Sequence, residues 1–93
     1  MAEVRFVGAI RKAAGMATFG IDAGTVEELL EKLRGLMNPV FQGFVFQGEE
    51  LQGDVEVVVN GRSIALLDGL KTALGPFDQV TLSLSGVRGL PGG

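Results

Sequence analysis

The sequence predicts an α+β fold: a mixed four- to five-stranded sheet with one main helix packed across it. Three observations carry this. Val80-Thr81-Leu82-Ser83-Leu84-Ser85 alternates strictly, as a half-buried strand does. Asp54-Val55-Glu56-Val57-Val58-Val59 is a valine-rich strand with Val55, Val57 and Val59 on one face and Glu56 and Val58 on the other. Between these strands and an N-terminal one, Thr25 to Met37 carries a single apolar stripe at helical spacing.

The elements follow in order. Glu3-Val4-Arg5-Phe6-Val7 is a strand, with Val4 and Phe6 on one face and Arg5 and Val7 on the other. Ile10 to Gly15 is a short helical turn that Gly15 stops. Met16 to Ile21 is a second strand, antiparallel to the first because the connection is short. Gly20 weakens that strand. Thr25 then opens the main helix. Its hydroxyl can accept the Glu28 N–H, while Glu28 reaches back to the Thr25 N–H. Val26, Leu29, Leu30, Leu33 and Met37 form the stripe, and Gly35 with Asn38-Pro39 brings the helix to an end.

Asn38 to Gly53 holds three of the six phenylalanines. Phe44-Val45-Phe46 reads as a short strand. Two readings of the rings stand: one or two close the bottom of the core, or Phe41, Phe44 and Phe46 form an exposed aromatic contact patch. Val55, Val57 and Val59 face the helix, and Asn60-Gly61 makes a tight hairpin turn. Arg62 to Ala65 returns as a short strand. Leu66, Leu67, Leu70 and Leu74 are spaced for a helical turn or two, broken by Gly75-Pro76. The last strand lies inside the sheet and leads straight into the tail. We expect a sheet domain over 1–85 and a flexible diglycine tail over 86–93.

Composition narrows the chemistry. The 93 residues make one small domain. Eleven acidic and eight basic residues give a net charge of −3, and the basic ones form no stripe, which argues against nucleic acid as a partner. There is no cysteine and no histidine. That excludes disulfides, a Cys/His metal site, and Cys–His or Ser–His nucleophilic machinery. No apolar run suits a membrane span, and no signal sequence is evident, so a cytoplasmic setting is expected.

The tail is the candidate for function. In Gly89-Leu90-Pro91-Gly92-Gly93 the two final glycines carry no Cβ to obstruct a partner's backbone. Such an arm suits a narrow channel, with Leu90, Pro91 and Gly89 as its fitted stem and the Gly93 carboxylate as its reactive end. The plain alternative is an ordinary chain end. A second candidate is the outward face of the sheet: with the last strand between the first and the Val55 to Val59 strands, Arg5, Val7, Glu56, Val58, Thr81 and Ser83 share it. Val7 and Val58 among small hydroxyls make a shallow docking surface for a partner, or else an ordinary solvated face.

The order Val4-Arg5-Phe6, Arg11 to Gly15, Thr25 to Leu33, Val57-Val58-Val59-Asn60-Gly61, Leu70 to Val80 and Gly92-Gly93 resembles the ubiquitin-like β-grasp superfamily. Within it, the chain is similar to the sulfur-carrier branch: the molybdopterin synthase small subunit, its thiamine-pathway relative and the archaeal ubiquitin-like small modifiers. The resemblance implies that an E1-like enzyme, using ATP, adenylates the Gly93 carboxylate. Sulfur transfer then gives a thiocarboxylate, or the glycine is joined to a lysine amine; a further alternative is a non-conjugating ubiquitin-like interaction domain whose tail does nothing. It implies a molybdopterin synthase large subunit or lysine-bearing targets as further partners. It implies no catalytic residue and no bound cofactor in this chain. The chain departs from the family at Phe77-Asp78, where a glycine-aspartate turn is usual, and in a tail without the usual proline pair.

Overall fold

Thr25 starts the main helix as its sequence demands, in a computed structural model that describes residues 1–85. Its Oγ1 accepts the Glu28 N–H at 3.2 Å. The Glu28 carboxylate takes the Gly24 N–H at 2.8 Å, one residue earlier than the expected Thr25 N–H. The helix, α2, spans Val26–Leu36 and buries Val26, Leu29, Leu30 and Leu33. Gly35 lies inside it, not past its end.

That stripe rests on a five-stranded sheet. The strands are β1 (Ala2–Phe6), β2 (Thr18–Ile21), β5 (Val55–Val59), β6 (Arg62–Ser63) and β7 (Gln79–Leu84), with β3 (Phe46–Gln47) and β4 (Glu50–Leu51) forming a separate hairpin. The sheet order is β2-β1-β7-β5-β6. β7 runs parallel to β1 and antiparallel to β5, so the last strand lies inside the sheet, as expected. Ala2, Val4 and Phe6 of β1, Val57 and Val59 of β5, and Val80 and Leu82 of β7 point into the core beneath α2. Asn60 (φ 50) and Gly61 (φ 89) make the β5–β6 hairpin with the two positive φ values that the pair favours.

Two elements differ from expectation. Before β2, α1 (Ala9–Ala14) ends at a left-handed Gly15 as read from the sequence. After α2, however, Pro39–Val45 is a third helix, α3, where a loop and a strand over 44–46 were expected. Asn38 is its N-cap, accepting the Phe41 N–H at 3.0 Å, and Pro39 takes the first-turn position where its missing N–H costs nothing. The Asn38 amide also donates to Ala13 O at 2.9 Å and ties α3 to α1. Gln42 of α3 donates to Arg34 O and Met37 O, satisfying carbonyls at the end of α2. The second difference follows β6, which stops at Ser63. The expected strand over Arg62 to Ala65 is thus shorter, and Ile64–Leu66 and Gly69–Lys71 are two single 3₁₀ turns, in keeping with the helical turn or two expected around Leu66 to Leu70.

Candidate functional site

Strand register builds the open face. Parallel pairing sets Arg5 beside Thr81, and antiparallel pairing sets Val58 on the other side of Thr81. Thr18 pairs with Arg5 and Ser63 with Val58, so the row crosses all five strands. Ser83 sits beside Glu56 in the next outward row. Val7 lies one residue past β1, donates its N–H to Leu82 O at 3.2 Å, and is 43% exposed. The structure therefore brings Arg5, Val7, Val58, Thr81 and Ser83 onto one surface. Arg5 and Glu56 are exposed, while Val58, Thr81 and Ser83 are half-buried. The result is a shallow floor of methyl and hydroxyl groups with one cation and one carboxylate.

The end of β7 is firmly held. The Ser85 N–H donates to Asp54 O at 2.7 Å, and the Ser85 Oγ donates to the same carbonyl at 3.1 Å. Asp54 drew no attention in the sequence, because a backbone acceptor leaves no side-chain signature. The expected working residues Gly89, Leu90, Pro91, Gly92 and Gly93 lie outside the described residues.

The opposite end of β7 holds the perturbed carboxyl. Asp78 is pulled below the ordinary carboxylate value of 3.8, first by the Gly75 N–H and then by the Asn60 amide, against a smaller opposing effect of burial. Its Oδ2 accepts from Gly75 at 2.7 Å and its Oδ1 from Asn60 at 2.9 Å. Both are turn-forming bonds, far along β7 from Ser85, so this carboxylate organises a loop.

The aromatic contact patch is corrected. Phe41 is fully buried, with its ring edge-on to Phe6 at 5.4 Å and to Phe46 at 6.4 Å. Phe46 is only 7% exposed and lies under the Arg34 guanidinium at 4.9 Å. Phe44 is half-buried against the core. These rings close the bottom of the core, since α3 turns Phe41 and Val45 inward.

Among the described residues, no group of three or more acidic, histidine or cysteine side chains could hold a metal ion. No helix among them is long and apolar enough to cross a membrane. The described residues thus supply a sheet platform and a held strand end.

No family model matches the sequence, and no curated protein matches it either. Solved structures do. The small archaeal modifier protein 1 (SAMP1) from Methanosarcina acetivorans superposes with a TM-score of 0.80 at 24% identity, covering 95% of this chain and 94% of that one. SAMP1 from Haloferax volcanii gives 0.77 at 25% identity, covering 95% and 97%. A chain of the Amycolatopsis orientalis BexX/CysO complex gives 0.78 at 18% identity, covering 96% and 100%. The chain therefore has the ubiquitin-like β-grasp fold, and its structural neighbours match the family that the sequence resembles.

Proposed function

We propose that this protein is a ubiquitin-like sulfur carrier whose Gly93 carboxylate is activated by an E1-like enzyme and converted to a thiocarboxylate. The observation that supports this is the placement of β7. A central strand, locked at Ser85 onto Asp54, feeds directly into a segment that closes on Leu90-Pro91-Gly92-Gly93. A rigid base fixes how far the arm reaches, and the glycines let it enter a channel. The carboxylate is a poor electrophile. Adenylation with ATP, bound by the partner, gives it a leaving group, and a sulfur nucleophile then displaces AMP. A thiocarboxylate carries sulfur without a cysteine, which agrees with this chain having none. The acceptor that we favour is a molybdopterin precursor, with the protein as small subunit of a molybdopterin synthase.

A second reading is conjugation of Gly93 to lysines of target proteins. It draws on the likeness to Haloferax volcanii SAMP1, a small archaeal modifier protein, at 25% identity over 95% of the chain. Both readings share the adenylate. Intact-mass analysis after incubation with ATP, the E1-like enzyme and a sulfur donor tests the first: a gain equal to replacing one carboxyl oxygen by sulfur is expected. Lysine-linked conjugates recovered from cells support the second. If neither forms, and a chain lacking Gly93 functions normally, both readings fall.

A further inference from the structure

A groove of about 700 Å³ lies between α2, the β3–β4 hairpin, β5, the two 3₁₀ turns after β6 and Ser85. It is prebuilt. Arg34 of α2 lies over the Phe46 ring, pairs with Glu31 at 2.6 Å and donates to Glu49 O, so it clamps the hairpin to the helix. The floor is apolar: Leu51, Val55, Ile64 and Leu70 line it, and Leu70 is 41% exposed.

The walls carry one sign of charge. Glu27, Glu31, Glu49, Glu50 and Glu56 line the groove, against the single cation Arg34. Glu31 is committed to Arg34, and Glu27 stands 3.6 Å from Lys71. Among the described residues, Glu49, Glu50 and Glu56 enter no ion pair. Carboxylates gathered in a cleft beside apolar surface raise the local concentration of cations. A membrane surface or nucleic acid, both anionic, would be repelled.

The backbone around the groove points to an extended occupant. Among the described residues, β4 pairs only with β3, and β6 is the outer strand of the main sheet. Each therefore presents an unpaired edge on which an added strand can lie. We propose that this groove docks an extended segment of a partner protein in which basic residues alternate with aliphatic ones, the aliphatic side chains entering the Leu51–Ile64–Leu70 floor and the basic ones meeting Glu49, Glu50 and Glu56. The groove meets the outward sheet face at Glu56 and Ser63, but its apolar floor lies off that face, and the proposal stands whether or not Gly93 is activated.

The test is a chemical-shift titration of the full chain with the peptide acetyl-Arg-Leu-Arg-Ile-Lys-amide and its counterpart acetyl-Glu-Leu-Glu-Ile-Glu-amide. The basic peptide is expected to shift Glu50, Leu51, Ile64 and Leu70. Its affinity is expected to fall at least about tenfold in the doubly reversed variant Glu50→Lys/Glu56→Lys, whose exposed positions leave the remaining spectrum unchanged. Leu70→Ser is expected to weaken it as well. Equal binding of the acidic peptide overturns the proposal, as do shifts centred on Arg5 and Thr81. A tenfold gain in affinity on removing residues 86–93 also overturns it, because the groove would then belong to the chain's own segment.

Discussion

Asp78 and Asn60 lock together across the start of β7. The Asn60 amide donates to the Asp78 carboxylate at 2.9 Å, while its own oxygen accepts the Gln79 N–H at 2.9 Å. The Asn60 N–H returns to Gln79 O at 2.8 Å. The β5–β6 hairpin and the loop before β7 are thus one hydrogen-bonded unit, centred on an ionised carboxylate.

That carboxylate predicts a pH dependence. Its folded pKa lies below the ordinary value of 3.8, so the ionised form is favoured in the folded state. The stabilisation is therefore fully present above the ordinary value and is lost as pH falls through the lowered folded value. Asp78→Asn places an NH₂ where only acceptors fit, opposite the Gly75 N–H or the Asn60 amide. We expect a lower Tm than wild type at pH 7, with the gap narrowing as pH falls below 3.8. Thermal melts from pH 7 to pH 3 check it; a gap that stays constant removes the assigned role.

Phe41→Ala tests α3 as part of the core. The ring is fully buried and meets Phe6 and Phe46 edge-on. Its removal is expected to cost about 3–5 kcal/mol, a large part of the roughly 5–15 kcal/mol that holds a domain together. Urea unfolding measures it. A loss below about 1 kcal/mol would mean that the helix packs only loosely.

The same region marks the border of what the sequence made legible. Strict alternation gave Val80 and Leu82 their inward side, and the Thr25–Glu28 cap gave α2 its start. Asn38-Pro39 was legible only in one direction. It was read as the stop of α2, yet the same pair is the N-cap and first residue of α3, and the phenylalanines beyond it then looked unplaced. The Arg5–Thr81–Val58 row followed once the strand order was right, because outward positions of neighbouring strands must share a face. The acidic groove was not legible. Five segments separated along the chain build it, and no local pattern announces such a meeting. The tail glycines are legible in sequence and lie outside the described residues.

Gly20 offers a quieter check on β2. A Cβ there would stand 2.8 Å from the Met1 Sδ. Met1 is 70% exposed, so its flexible thioether can swing aside. Alanine also restricts the unfolded chain more than glycine does. Gly20→Ala is expected to raise stability by up to about 1 kcal/mol, read as a higher urea midpoint at unchanged slope. A loss of more than about 1 kcal/mol would instead mean that Met1 is fixed against the strand.

The outward sheet face rests on Val58. Its side chain lies between Thr81 and Ser63 in the outward row and is half-buried by its neighbours. An aspartate there keeps its water in the free protein, so the fold is retained, with a modest loss from poor strand propensity. A partner that covers the row must strip that water and bury a charge without a counterpart. If the proposed E1-like enzyme docks on this row, Val58→Asp is therefore expected to weaken its binding at least about tenfold. Val58→Thr, similar in shape and matched to the hydroxyls around it, is expected to change binding little. Titration calorimetry on both variants, with melts to confirm folding, separates docking from damage. If Val58→Asp binds as wild type does, this face has no part in docking.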